Sequence, residues 1–271
     1  MVGGPTAYLT VYAIAGGGAL VTDRDVQDRL TESAHWEQYW LSERKAHPDS
    51  YIFDPILRPR LPRGGDYFEI GCTPGKTMAY FARNYGYRVC GIDYVGTELV
   101  HDNMRRWDIK DYEVVTADFL EHRFPQERLF DVVGSYGFIE HFADVEDVLL
   151  RQAAYVKPGG YLVVEVPNLR GFNTLLYRVF LPEELSGSNL AAMRPEAITA
   201  PLVASGFQIV YGRYFGTCFL QFDEQNGFLA SRPWLLGLVR GMKRLLAAVH
   251  LDNVPSAFLS PYLVVIARKD I

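Results

Sequence analysis

Residues 67–94 read YFEIGCTPGKTMAYFARNYGYRVCGIDY, and this stretch decides the fold. A short apolar strand passes through Phe68 and Ile70 into a turn that holds Gly71 and Gly75. The pattern then predicts a helix over 75–85 and a strand over 88–93 that ends in an acid, Asp93. This is the first βαβ unit of a doubly wound sheet, whose turn and acid are the two places that hold a nucleoside cofactor. Three ligands compete for the turn. The dinucleotide fingerprint G-x-G-x-x-G lacks its second and third glycines here. The phosphate loop G-x-x-x-x-G-K-[ST] finds its tail in Gly75-Lys76-Thr77, but its first glycine falls on Ile70, so the loop is one residue short. What remains is E-x-G-x-x-x-G, made by Glu69, Gly71 and Gly75. Asp93, 22 residues after Gly71, stands where an acid can grip both ribose hydroxyls.

Outward from this unit, helical and extended patterns alternate. Helices are expected over 97–107, 145–155 and 195–205, and strands over 112–116, 129–135, 161–166, 207–214 and 260–268. Residues 169–194 read as irregular. The turn Lys157-Pro158-Gly159-Gly160 stops one helix and starts a strand. The expectation is an α/β fold with a doubly wound, mostly parallel, seven-stranded sheet. In such a sheet ligands bind beyond the carboxyl ends of the strands. That singles out Gly71, Asp93, Asp118, Ser135, Tyr136 and Asn168. Before the sheet, 25–45 reads as a helix and 47–62 as a Pro-rich linker. The chain therefore divides into a tail (1–24), a helical lid with its linker (25–62), a core (63–214 with 259–271) and a cap inserted between the last two strands (215–258).

Several of these motifs occur together, and in order, in a known family. Glu69-Ile70-Gly71 resembles motif I of the class I S-adenosyl-L-methionine-dependent methyltransferases. Gly91-Ile92-Asp93 is similar to the family's ribose-binding segment, Ala117-Asp118-Phe119 to its adenine-binding segment, and 130–137 to its fourth strand. Lys157-Pro158-Gly159-Gly160 resembles the family's L-K-P-G-G turn. One departure is Thr73-Pro74, where many members have a third glycine. The resemblance covers 67–214 and the last strand. It implies S-adenosyl-L-methionine as cofactor, with Glu69, Gly71 and Gly75 at its methionine part, Asp93 at the ribose, and Asp118 and Phe119 at the adenine. Cys72, Tyr94, Ser135 and Tyr136 complete the expected cofactor shell.

His141, just past the fourth strand, is the candidate base, since a hydroxyl must lose its proton as it takes a methyl group. The plainer reading is a histidine that caps or packs its loop, and methyl transfer can also run on alignment and desolvation. Tyr136, Asn168 and Tyr39 are expected to line the acceptor. Trp36, Tyr39 and Trp40 sit on the pre-sheet helix, as a lid over the cofactor or as core packing. A metal-assisted mechanism is not expected, because the strand ends offer no carboxylate set and Asp131 is at the wrong end of its strand. Aromatic residues in the two irregular segments (Phe172, Tyr177, Phe180, Phe215, Phe219, Phe222) suggest a small organic or glycan-like acceptor, methylated at oxygen. The alternative is a protein of this fold that binds the cofactor without transferring methyl, as a pericyclase-like enzyme or a regulatory module.

Composition sets outer bounds. The 271 residues fit one large α/β domain, and a net charge of −5 argues against a nucleic-acid partner. Three irregularly spaced cysteines, Cys72, Cys90 and Cys218, suggest reduced thiols in a cytoplasmic protein without a metal cluster. Residues 2–22 carry no charge and no basic n-region, so a signal peptide is not expected. Residues 234–251, WLLGLVRGMKRLLAAVHL, read first as a cap helix buried on the core. A membrane-surface helix or a homodimer interface are its other uses.

Overall fold

The computed structural model describes residues 29–31, 33–42, 51–125, 128–180, 182–217, 232–249 and 254–271. Ahead of the sheet lie helix α1 (Ser33–Ser42) and a short helix α2 (Asp54–Leu57). Then come β1 (Asp66–Ile70), α3 (Lys76–Tyr85), β2 (Arg88–Asp93), α4 (Thr97–Arg106), β3 (Tyr112–Thr116) and β4 (Phe130–Tyr136). A 3-10 turn (Ile139–His141) leads to α5 (Val145–Ala154) and β5 (Val156–Pro167). The remainder is α6 (Phe172–Phe180), α7 (Pro182–Ser186), α8 (Pro195–Ala204), β6 (Phe207–Phe215), α9 (Pro233–Ala248) and β7 (Tyr262–Lys269).

The seven strands form one sheet in the order β3-β2-β1-β4-β5-β7-β6. The first five are parallel to their neighbours, and β7 runs antiparallel between β5 and β6. The winding direction reverses between β1 and β4, which opens a crevice at their carboxyl ends. Two-residue alternation sends β1 to both faces. Phe68 and Ile70 join a core under α5 and α8, while Tyr67 joins a second core under α3.

Two expectations are corrected. Residues 172–186, read as irregular, contain α6 and α7. The Asn173 side chain donates to the Asn168 carbonyl at 2.9 Å and the Thr174 hydroxyl to the Leu169 carbonyl at 2.7 Å, which holds the start of α6 against the end of β5. Pro182 and Pro195 cut this stretch into pieces too short for a helical period to be read. The second correction concerns α9. The helix forms, but Trp234, Leu238 and Leu245 on it are exposed, so these side chains are not buried on the core. Among the described residues no helix is long and apolar enough to cross a membrane. Residues 1–24, Phe219, Phe222 and Cys218 lie outside the described residues.

The first βαβ unit is anchored by Phe68, which is fully buried, stacked on Phe130 at 4.7 Å and edge-on to Phe124 at 5.2 Å and Tyr155 at 5.7 Å. Phe68→Ala leaves a cavity among three rings, and a loss of about 4 kcal/mol is expected. Urea unfolding of the two proteins measures it, and a change below about 1 kcal/mol would contradict this account of the core.

Candidate cofactor and acceptor site

The turn after β1 is built by close approach. Gly71 (φ 72°) and Gly75 (φ 87°) are both left-handed. A side chain at Gly71 would meet Phe138 at 2.9 Å, and one at Gly75 would meet Val100 at 2.9 Å. The Gly71 and Cys72 amides both donate to the Ile92 carbonyl, at 2.9 and 3.3 Å. Thr73-Pro74 is held from β2: the Thr73 amide donates to Asp93 Oδ2 at 3.0 Å, and its hydroxyl to the Val95 carbonyl at 2.9 Å. Asn103 of α4 donates to the Pro74 carbonyl at 3.0 Å. Gly91 on β2 belongs to the same construction, because a Cβ there would meet Met78 Sδ at 2.5 Å and Cys72 Sγ at 2.6 Å.

Cys72 therefore brings only its backbone to the turn, with its thiol directed into the core against Gly91. Asp93 is buried and also accepts the Val95 amide at 3.2 Å. Burial pushes its carboxyl upward, against the amides of Thr73, Val95 and Tyr94 that favour the ionised form. Each carboxylate oxygen can accept a further bond, so serving the turn leaves Asp93 able to receive hydroxyls.

At the end of β3, Asp118 accepts the Leu120 amide at 2.8 Å and pairs with Arg29. The Arg29 guanidinium lies 4.6 Å over the Tyr94 ring and 5.5 Å from the Phe142 ring. Phe119 is buried and edge-on to Phe138 at 6.1 Å, and Phe138 in turn backs Gly71. Gly71, Asp93, Tyr94, Asp118 and Phe119 thus surround one crevice across the ends of β1, β2 and β3. Arg29 was not singled out in the sequence. It stands 89 positions from Asp118, and nothing local marks it.

Two strand-end residues turn away from that crevice. Ser135 alternates with Tyr136, so its side chain enters the opposite core, where it is fully buried and donates to Gln152 of α5 at 2.9 Å. Asn168 is also fully buried. Its side chain donates to the carbonyls of Ala257 (3.1 Å) and Ser260 (2.7 Å), which pins the end of β5 to the approach of β7. Neither side chain is placed as a cofactor or acceptor group. The side chain of Tyr39 lies outside the described residues.

His141 is enclosed by segments distant in sequence. Arg29 forms an antiparallel bridge with Phe142, and the Leu30 amide donates to the His141 carbonyl at 2.9 Å. The ring Nδ1 lies 3.0 Å from the Gly187 carbonyl and 3.0 Å from the Thr31 hydroxyl, which itself donates to Gly187 at 3.0 Å. A carbonyl only accepts, so the bond to Gly187 puts the proton on Nδ1 and leaves the lone pair on Nε2. Burial pulls the His141 pKa down to about 4, against the Gly187 bond, so the ring is neutral at physiological pH. Trp36 meets His141 edge-to-face at 4.8 Å and packs beside Trp40 at 6.4 Å. A Cβ at Gly96 would meet Trp40 at 3.4 Å, so α1 runs from His141 to the loop after β2.

On the α3 face, Glu69 is buried and accepts the Tyr67 hydroxyl at 2.9 Å; that hydroxyl is also 3.4 Å from the Tyr136 hydroxyl. Burial raises the Glu69 carboxyl well above the usual range, and no cationic side chain among the described residues faces it. A left-handed glycine cradle beside two buried, cation-free acids fits a ligand that carries an ammonium, a sulfonium and ribose hydroxyls.

The comparisons agree with this geometry. Residues 44–211 match the family model described as a methyltransferase domain. The ubiquinone biosynthesis O-methyltransferase of Rhizobium etli (strain CIAT 652) is 31% identical over 162 residues, which is 56% of this chain and 63% of that protein. The match thus spans under two thirds of this relative's length. A methyltransferase from Thiobacillus denitrificans, solved with S-adenosyl-L-homocysteine, superposes with a TM-score of 0.56 at 16% identity, over 85% of this chain and 97% of that one. The [4+2]-cyclase SpnF superposes with a TM-score of 0.54 at 18% identity, over 81% and 80% of the two chains. The matched domain and the seven-stranded sheet lead to one conclusion: this chain belongs to the class I S-adenosylmethionine-dependent methyltransferases.

Proposed function

We propose that this enzyme methylates an oxygen of a small organic acceptor, with His141 as the proton acceptor. The observation that carries this reading is the position of His141, whose Nδ1 lies 3.0 Å from the Gly187 carbonyl; donation there assigns the lone pair to Nε2, which lies 3.6 Å from Glu140 Oε1. The name of the Rhizobium etli relative, an O-methyltransferase of ubiquinone biosynthesis, supports oxygen and a small molecule. The cofactor supplies an electrophilic methyl group on sulfur. The chain supplies the rest: Glu69, Gly71 and Gly75 hold the methionine part, Asp93 the ribose, Asp118 and Phe119 the adenine. Residues 25–62 serve as the lid and 215–258 as a cap over the acceptor, on a core of 63–214 with 259–271. The α1 tryptophans support the lid by spanning from His141 to Gly96. A glycan-like acceptor loses support, because Tyr177 is buried in the core and Phe215 packs on Phe53 at 5.5 Å.

Two measurements test this. Asp93→Ala is expected to weaken S-adenosylhomocysteine binding at least roughly tenfold by titration calorimetry. An unchanged Kd would remove Asp93 from the site. His141→Asn keeps a donor for Gly187 but its amide is far too weakly basic to take the proton, and turnover should fall roughly a hundredfold. Wild-type turnover should stay flat from neutral pH down to roughly pH 5 and fall as pH approaches the His141 pKa of about 4, where the base becomes protonated. Full activity in His141→Asn would end the base proposal. Cofactor binding with no methylated product from any hydroxyl acceptor would favour a non-transferring protein of this fold.

A further inference from the structure

Two buried acids, Glu140 and Glu165, have no role in the reading above, and the second stands at a strand end. Glu165, near the end of β5, lies on the same sheet face as Glu69 and Tyr136 and pairs in register with Tyr136. Its immediate neighbours on this face of β5 and β7 are apolar, Val163, Val264 and Ile266, with Arg268 at the far end beside Tyr161. Glu165 is 6% exposed, and the Gly137 amide beside it donates to its main-chain carbonyl at 3.0 Å. No cationic side chain faces it among the described residues. Burying a carboxyl in this way is costly unless something completes it.

The second observation is a phenol. The Tyr51 hydroxyl is buried without a bond of good geometry, and Thr77 and Tyr136 are the hydroxyls close enough to interact with it. Its polar surroundings are Tyr136, Glu165 and Glu69, with Thr77 of α3 beside it. The Tyr51 ring stands edge-on to Tyr136 at 5.8 Å and to Phe53 at 5.4 Å. Gly134 leaves the room for this arrangement, since a Cβ there would meet Tyr67 Oη at 2.7 Å and Tyr136 Oη at 3.0 Å. Phe53 also packs on Tyr262 at 5.2 Å, which closes the far side with aromatic rings.

From these residues we infer that Glu165, with the hydroxyl oxygens of Tyr51 and Tyr136, binds a cationic amine carried by the methyl acceptor. Three acceptor groups match the three N–H donors of a primary ammonium, and aromatic walls favour a cation. The position suits an acceptor rather than the cofactor. The cofactor turn follows β1, and β5 lies two strand spacings away, about 10 Å across the sheet. The inference rests on the reading of this crevice as a methyl-transfer site, and names the acceptor class as a hydroxyl compound that also bears a basic amine.

Binding of the amine is linked to a proton. Burial raises the Glu165 pKa to about 8, so at neutral pH the empty site holds mostly the carboxylic acid. An ammonium beside it favours the carboxylate, so the Glu165 proton leaves to bulk water as the amine docks. The titratable groups that face Glu165 are Glu69 from β1, Tyr136 from β4 and Tyr51 from the segment before α2, and β7 presents Val264.

The test compares tyramine with 4-ethylphenol, which share a phenol and differ by the amine. Both are titrated calorimetrically into the enzyme loaded with S-adenosylhomocysteine, at neutral pH in two buffers of different ionisation enthalpy. Tyramine is expected to bind at least tenfold tighter and to release protons. Glu165→Gln should erase both the preference and the release while leaving S-adenosylhomocysteine affinity unchanged. Tyr51→Phe should weaken tyramine several-fold while leaving 4-ethylphenol binding unchanged. Equal affinity for the two phenols, no binding of either at millimolar concentration, a preference that survives Glu165→Gln, or a loss of S-adenosylhomocysteine binding in that variant would each overturn the inference. The outcomes separate from those of the oxygen reading. An amine preference with methylation only at nitrogen refutes oxygen transfer and leaves the amine site standing. Equal O-methylation of both phenols does the reverse.

Discussion

The Asp93 carboxylate receives the Thr73 amide at 3.0 Å and the Val95 amide at 3.2 Å, and these bonds tie the end of β2 to the turn after β1. Much of the crevice follows from that tie. With Thr73 held down, Gly75 can start α3 and Pro74 can offer its carbonyl to Asn103. Gly96 must then lack a side chain, because a Cβ there would meet Thr73 at 2.8 Å. The Thr73-Pro74 departure from a glycine-rich turn is thus accommodated by a carboxylate. Two glycines keep the backbone approach, and the acid supplies the order that a third would not.

The two titratable groups assigned to the acceptor are moved in opposite directions by the same cause. Burial lowers His141 to about 4 and raises Glu165 to about 8, so both are uncharged at neutral pH. This separates two tasks that one acid could not perform together: a neutral imidazole takes a proton, and a carboxyl ionises only when a cation arrives.

Much of this was legible in the chain. The βαβ stretch, the acid at its end and the later strands follow from period and punctuation, because those signals are local. Asn168 was misread because its role is set by a distant partner, a carbonyl 92 residues away, and the enclosure of His141 by Thr31, 110 residues off, is equally invisible locally. Ser135 is different, since strict alternation with Tyr136 already places the two on opposite faces. Glu165 was readable too, as a lone acid in the apolar run YLVVEVP. It passed unremarked because no motif claims it.

The placement of β7 has a consequence for assembly order. This strand sits between β5 and β6, and β6 joins the sheet through β7 alone. Tyr161 on β5 pairs with Arg268 on β7, so the closing contacts span more than a hundred residues. The parallel part of the sheet can form early, but β6 has no edge to dock on until Tyr262–Lys269 has been added. A chain stopped before Tyr262 would therefore lose two strands, and would expose the edge of β5 in their place.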